Sequence, residues 1–396
     1  MKRILAVLLA AMMVFAFVAC SPAEDSKDLK VGFIFLHDEN STYDLNFINA
    51  AKEACQKMGV EYVQKTQIPE SNDCYTAAVE LIESDGCTLI FADSFGHESF
   101  LMKAAAEYPD VEFCHATGTQ AHTSELKNFH NAFASIYEGR FLAGVAAGMK
   151  LNEMIAAGQF TAEEAKMGYV GAFTFAEVMS GYTSFYLGAK SVCPTVTMDV
   201  KFTGSWYNEQ LEKEAAQALI NGGCKLISQH ADSMGAPTAC ETAGVPNVSY
   251  NGSTLSACPN TFIVSSRINW VPYFEYIIDC VLNDKEIATD WTGTIETGSV
   301  VLTDVNTAVA AEGTVEKLAA VKAALLDGSI NVFDTANFTI GGETVTSYKA
   351  DVDTDTNYEK DTEVVENGVF YESKYRSAPY FDARIDGITL LDENYG

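Results

Sequence analysis

From residue 30 onward the chain alternates short apolar or β-branched runs with longer stretches whose apolar residues recur at helical spacing. KVGFIFL (30–36) predicts a strand, and LNFINAAKEACQKMG (45–59) a helix closed by Gly59. VEYVQKT (60–66) predicts a strand, TAAVELIESDG (76–86) a helix and CTLIFA (87–92) a third strand. FLMKAAAEYPD (100–110) reads as a helix stopped at Pro109, and VEFCHA (111–116) as a fourth strand. Strict alternation with strands of fully buried character implies a parallel sheet covered by helices on both faces.

The rhythm then resets. IYEGRFLAGVAAGMK (136–150) predicts a helix, KMGYVGAF (166–173) a strand, EVMSGYTSFYLGAKSV (177–192) a helix and TVTMDVKFTG (195–204) a strand. QLEKEAAQALING (210–222) follows as a helix, then CKLISQH (224–230) and PNVSYN (246–251) as strands. Two α/β units of similar rhythm imply two lobes facing each other across a cleft. PYFEYIIDCVLND (272–284) is a helix, SVVLTDV (299–305) a late strand expected to return to the second lobe, and EKLAAVKAALLDGSI (316–330) the last clear helix. Residues 341–396 are polar and turn-rich, and are expected to wrap an edge as hairpins and loops.

Length supports two lobes, because 396 residues exceed what one core usually organises, and 48% hydrophobic residues can fill both. The first nineteen residues have a different character: Lys2 and Arg3, an apolar run, then the small Ala19 before Cys20. That layout is an export signal, too short to span a ~30 Å hydrocarbon core comfortably. Phe17-Val18-Ala19-Cys20 resembles a bacterial lipobox, with Phe17 where leucine is more usual, so Cys20 is the expected lipidation site and residues 20–29 the leash. An ordinary secretory peptide with an incidental cysteine is the alternative.

Formal net charge is −29, and removing Lys2 and Arg3 makes it −31 (−29 minus 2). So acidic a surface repels phosphates and anionic lipid heads, which argues against nucleic acid as a partner. Beyond Cys20 there are nine cysteines, an odd number without a CxxC pair, several of them among apolar residues. Mostly free thiols are expected, each packing as a small core residue.

Ligands of open parallel sheets bind beyond the carboxyl ends of the strands. The segments there are HDENSTYD and DSFGHES in the first half, then FTFAEV, GSWYN, HADSMG and NGST in the second. They combine aromatic rings with carboxylates and amides and contain neither lysine nor arginine. Rings stack on a planar ligand while carboxylates accept its hydroxyl or amino protons, which suits a nucleoside-like or sugar-like solute rather than a phosphorylated one.

FADSFGHESF, AAAEYPDVEFCHATG, YEGRFLAGVAAG, GYVGAF...EV, GSWYN and ISQHADS together resemble the basic membrane protein family of substrate-binding lipoproteins, which includes purine nucleoside receptors. The resemblance implies an α/β type I periplasmic-binding-protein fold: two doubly wound parallel-sheet lobes joined by three crossovers, near 133, 267 and 292. It divides the chain into 30–133 with 268–291, 134–267 with 292–340, and a C-terminal extension, 341–396. It further implies a monomeric receptor, without catalysis or cofactor, that hands a small-molecule nucleoside to ABC importer permease subunits.

The resemblance also assigns site residues. Tyr43 and Trp206 match the two facing aromatics that would sandwich a purine. Asp44, Asp93 and Ser94 resemble ribose and base contacts, Asp232 and Asn251 the polar positions of the second lobe, and Phe175 and Glu177 a rim beside them. Asn269, followed by Trp270, stands where some nucleoside receptors have lysine. Plainer roles compete: Asp93 and Ser94 as helix caps, Glu177 as a partner of a helix dipole, and His230 as a hinge-side histidine.

Other chemistry has weaker support. DVDTDTNYEKDTE (351–363) begins like a calcium loop, but Thr356 replaces the turn glycine and Thr362 the terminal glutamate. No zinc spacing, nucleophile elbow, phosphate loop or dinucleotide turn is present. Carboxylates flanking a cleft leave a glycosidase as the enzymatic alternative. The pattern also admits a receptor for a flavin or a sugar, and a signalling or adhesive surface lipoprotein.

Overall fold

The computed structural model describes residues 29–353 and 359–393, so the export segment and the proposed lipidation site Cys20 lie outside the described residues. Among the described residues no helix is long and apolar enough to cross a membrane.

The first half builds β1 (Lys30–Ile34), α1 (Thr42–Met58), β2 (Glu61–Lys65), α2 (Asn72–Glu83), β3 (Leu89–Ala92), α3 (Glu98–Glu107), β4 (Glu112–Ala116) and β5 (Phe129–Ala134). Helix α1 starts where the Ser41 side chain accepts the Asp44 N–H, and ends at Gly59 in the left-handed region, φ 69°. The second half builds α4 (Ile136–Ala156), β6 (Lys166–Gly171), α5 (Ala176–Lys190), β7 (Thr197–Phe202), α6 (Glu209–Asn221), β8 (Leu226–His230), α7 (Gly235–Ala243), β9 (Asn247–Tyr250) and β10 (Phe262–Ile268). Then come α8 (Val271–Leu282), β11 (Asp290–Gly293), β12 (Val300–Leu302) and α9 (Thr314–Leu326).

The strands form two sheets. One has the order β2-β1-β3-β4-β5-β11 and is parallel throughout. The other runs β7-β6-β8-β9-β10-β12, parallel except for β12, which pairs antiparallel with β10. The chain passes between them three times, after β5, after β10 and after β11. Helix α8 thereby returns to the first lobe, where Phe274 meets Phe33 at 5.1 Å and Trp270 stacks on Phe47 at 4.5 Å.

Four elements are not marked by the sequence pattern: β5, β10, β11 and α7. His130 and Asn131 interrupt β5, and Ser265, Ser266 and Arg267 interrupt β10, so neither reads as an apolar run. These strands tolerate buried polar groups because partners are supplied from elsewhere; the Asn131 amide, for instance, donates to Glu98 at 3.1 Å. Strand β11 has only four residues, three of them half-buried, and α7 carries Pro237.

In the second lobe α4 and α5 approach closely through glycines. A Cβ added at Gly144 would stand 2.0 Å from the Phe185 carbonyl oxygen, and one at Gly188 2.0 Å from that of Phe141. Buried nearby, the Arg140 guanidinium donates to the Tyr169 hydroxyl at 2.5 Å, the Gln229 carbonyl at 3.2 Å and Ser228 Oγ at 3.3 Å.

Among its described residues the C-terminal segment forms three short antiparallel pairs: β13 (Thr339–Ile340) with β14 (Glu343–Thr344), β15 (Lys349–Ala350) with β16 (Thr362–Glu363), and β17 (Val365–Glu366) with β18 (Val369–Phe370). A final strand, β19 (Ile388–Leu390), then joins the second sheet parallel to β7. The nine cysteines from Cys55 to Cys280 are free and buried.

Candidate functional site

The carboxyl ends of β1, β3 and β4 in one lobe meet those of β6, β8 and β9 in the other, and a cavity lies between them. Its empty space, counting the opening to solvent, is about 370 Å³. Leu36, His37, Tyr43, Ser94, Phe95 and Thr117 line it from the first lobe. Glu177, Trp206, His230, Asp232, Tyr250 and Asn251 line it from the second. None of these is lysine or arginine, so the walls offer an anionic ligand no fixed positive charge.

Each lobe presents rings. Tyr43, in the first turn of α1, is fixed from below by Phe47 at 4.8 Å and donates its hydroxyl to the Asp93 carbonyl at 2.7 Å. Trp206 follows β7 and stands in a cluster with Phe173 at 5.0 Å and Phe175 at 6.0 Å. Phe175 reaches across to Phe95 of the first lobe at 4.9 Å, and His37 reaches Tyr207 at 5.4 Å. The Thr42 N–H donates to the Asp232 carbonyl at 3.0 Å, closing the same seam through the backbone.

The carboxylates divide into two groups. Asp44 is fully buried behind the wall, where its Oδ1 accepts the His37 N–H at 2.7 Å and its Oδ2 the Ser41 hydroxyl at 2.6 Å, with His37 Nδ1 3.3 Å away. Burial pushes its pKa up, but these bonds outweigh it and hold the carboxyl below the usual range. Asp93 is also fully buried, and its Oδ1 accepts the Leu36 N–H at 3.1 Å while Oδ2 has no partner. Burial and the nearby Asp44 carboxylate push its pKa well up. Both residues brace the loop after β1 that carries His37 and leads into the helix turn of Tyr43.

Asp232 and Glu177 face the cavity. Burial, then the carboxylates of Asp44, Glu212 and Glu177, push the Asp232 pKa well above its ordinary value, opposed by the nearby Asn251 side chain. Glu177 Oε1 lies 3.3 Å from His230 Nε2, and burial lowers the His230 pKa. The Tyr250 ring packs tilted against His230 at 4.5 Å, its hydroxyl buried without a partner.

Of the ten ligand-contact positions expected from the sequence, Tyr43, Ser94, Glu177, Trp206, Asp232 and Asn251 come together on the cavity wall. Asp44 and Asp93 stand directly behind it, and Phe175 packs into the ring cluster at its rim. Asn269 is elsewhere: its amide donates to the Gly298 carbonyl at 3.1 Å, its Oδ1 accepts the Val271 N–H at 3.3 Å, and it borders a separate hollow with Arg267. Leu36, His37, Phe95, Thr117, His230 and Tyr250 complete the wall without having been expected as contacts. All six sit at or just after a strand's carboxyl end, which is the one signal the sequence offered for them.

Two lobes of parallel sheet closed over a cavity of rings and hydrogen-bonding groups define a solute-binding protein, the class that takes up small molecules for membrane transporters. Solved structures agree on the fold. A solute-binding protein from Conexibacter woesei aligns at 18% identity with a TM-score of 0.61, over 76% of this chain and 98% of its own. One from Aeropyrum pernix aligns at 17% with a TM-score of 0.64, over 76% and 92%.

The family model described as "ABC transporter substrate-binding protein PnrA-like" matches residues 34–332, and the chain belongs to that Bmp family. Its members are ABC transporter substrate-binding proteins, which act outside the cytoplasm and are not enzymes. Among relatives, a purine-binding protein from Brucella abortus is 32% identical over 66% of this chain and 71% of its own. A putative ABC transporter glucose-binding protein from Haloferax volcanii is 30% identical over 63% and 60%, so this chain spans less than two thirds of its length. A nucleoside-binding protein from Lactococcus lactis is 26% identical over 59% and 66%.

Proposed function

We propose that this protein captures a purine nucleoside between its lobes and delivers it to the permease subunits of an ABC importer, tethered outside the cell through a lipid on Cys20. The moving bodies are residues 30–133 with 268–291 and residues 134–267 with 292–340. The observation that supports this most directly is that Tyr43 and Trp206 line one cavity from opposite lobes, on a wall without lysine or arginine. A planar, uncharged base stacks on such rings. Asp232, Glu177, Asn251 and Ser94 then serve the hydroxyl and amino groups of ribose and base. The purine-binding and nucleoside-binding relatives lend the same support.

Rings and carboxylates also receive sugars, and a relative bears a glucose-binding name. The deciding experiment is calorimetric titration of the chain from residue 21, unfolded and refolded to remove carried-over solute, with inosine, guanosine, adenosine, glucose and riboflavin. Selective binding of a nucleoside is the expected result. Binding of glucose or riboflavin with no nucleoside response overturns the purine reading and leaves the family and fold.

A further inference from the structure

Glu372 and Ser377 stand five residues apart in the segment after β18, and each is buried against a different lobe. The Glu372 carboxylate accepts the Ser180 hydroxyl on α5, one turn beyond the cavity residue Glu177. Ser377 donates both its N–H and its hydroxyl to Asp290 Oδ1, at 2.7 Å each, at the start of β11 in the first sheet. One short stretch thus connects the two moving bodies outside the three crossovers.

That stretch has little slack. Five extended residues reach at most about 18 Å. The buried Arg376 guanidinium fixes its shape, donating to the carbonyls of Pro379 at 3.1 Å, Ala378 at 3.2 Å and Val352 at 3.3 Å. The Lys374 N–H donates to the Tyr380 hydroxyl at 2.8 Å, and the Tyr380 N–H to the Glu372 carbonyl at 2.9 Å.

Beyond it the segment is woven into the second lobe. Strand β19 extends that sheet, and Asp392 binds the Lys201 ammonium and the Phe202 N–H at 2.8 Å each. Residues 333–396 lie outside the region matched by the family model.

We propose that residues 372–377 are a brace that sets the angle between the lobes at the ligand cavity, with Glu372 and Ser377 as positioning residues and Asp290 as the point of release. The segment moves with the second lobe. Asp290 precedes by three residues Gly293, where the chain crosses, so it stands about 10 Å from that crossover at ~3.3 Å per residue. Rotation about the crossovers therefore displaces Asp290 from Ser377, and bonds of this kind are lost beyond ~3.5 Å. Opening the cleft breaks the contact, and the contact favours the closed arrangement.

The test compares Asp290→Ala and Ser377→Ala with the unaltered chain from residue 21. Two quantities are read: the ligand-free radius of gyration by solution scattering, and the dissociation rate of inosine by stopped flow. The expected result is a larger radius of gyration and faster dissociation, about fivefold for Ser377→Ala, which loses one buried hydrogen bond of the closed state, and more for Asp290→Ala, which loses both. Ser377→Thr, which keeps both donors, should behave as the unaltered chain.

A lock separates positioning from folding. A Cβ built on Gly252 of the second lobe lies 3.4 Å from Thr42 Cβ of the first, close to the ~3.8 Å mean of disulfides. In an oxidised Thr42→Cys, Gly252→Cys background the Asp290→Ala effect on both readings should vanish. Unchanged radius and rate in Asp290→Ala, or effects that persist undiminished in the oxidised lock, overturn the brace. The scattering arm needs no ligand, so a failure of the nucleoside reading leaves the brace decided on its own terms.

Discussion

Thr42 gives its backbone N–H to the carbonyl of Asp232 at 3.0 Å, and the Asp232 N–H in turn donates to the Trp206 carbonyl at 3.0 Å. The first donor belongs to the opening turn of α1, whose N–H groups have no partner within the helix. The opposite lobe supplies one, and only when the lobes meet. Ligand binding should therefore slow hydrogen exchange at the Thr42 amide, read by mass spectrometry on a peptide spanning residues 41–47. Exchange there that is indifferent to a bound ligand would refute the link between this bond and closure.

Removing either ring should weaken nucleoside binding without unfolding the protein. Base stacking on an aromatic contributes about 1–3 kcal/mol, so Trp206→Ala and Tyr43→Ala should each raise the inosine Kd by roughly 5-fold to 150-fold. Tyr43→Phe keeps the ring but loses the bond to the Asp93 carbonyl. It should leave Kd nearly unchanged while lowering stability by ~1 kcal/mol. Calorimetry and urea unfolding on the same three variants separate the two effects.

Burial pushes Glu212 up to about 7 in the folded protein, although its carboxylate accepts the Ser233 N–H at 3.2 Å. The unfolded chain loses that proton near pH 4.5, so between about 4.5 and 7 the folded state holds more protons and its stability falls as pH rises. Glu212→Gln has no such titration. The stability of the native protein relative to this variant should therefore decline across that window, by an amount on the order of 3 kcal/mol, and level off above it. Urea unfolding at intervals from about pH 4.5 to 8 measures it, and a flat or rising difference contradicts the assignment.

Gly188→Ala should be among the most damaging small substitutions in the second lobe. The new methyl would meet the Phe141 backbone carbonyl at 2.0 Å, which cannot move without parting α4 from α5. Overpacking of this kind costs typically about 1–3 kcal/mol, and a backbone obstacle places it at the upper end. Gly59→Ala is a useful contrast, since its added Cβ meets nothing within 4 Å and only its positive φ, 69°, opposes it. Paired melting curves should show the larger fall for Gly188→Ala.

All nine thiols between Cys55 and Cys280 are buried, and burial pushes Cys87 up to about 11 and Cys55 and Cys224 up to about 12. A chain beginning at residue 21 should give essentially no reaction with a thiol reagent while folded, and nine equivalents once unfolded. Fast labelling of the native protein would mean that one of these sites opens readily.

Much of the architecture is determined by the sequence alone, because periodicity is local. Runs such as KVGFIFL and CTLIFA can be satisfied only as buried strands, and the reset of the pattern near residue 136 separates the two sheets. The same logic points to the loops after those strands; within them the family resemblance singles out Tyr43, Ser94, Trp206, Asp232 and Asn251, which do line one cavity. Strands β5 and β10 are not legible locally. Their buried Asn131, Ser265 and Ser266 are admissible only with hydrogen-bond partners, and for Asn131 those lie on α3 and in the loop after β4.

Tertiary structure alone decided three matters. It put Asp44 and Asp93 behind the wall as braces, because both Asp44 oxygens and one of Asp93 are committed to His37, Ser41 and Leu36. It carried Asn269 out of the cavity, since the turn into α8 uses both ends of its amide. It also joined the lobes through Glu372 and Ser377, two polar residues in a segment without periodicity, whose partners Ser180 and Asp290 lie 192 and 87 positions away. Hydrophobic period reports which face of an element is buried; which distant donor meets which acceptor is fixed only when the elements have packed.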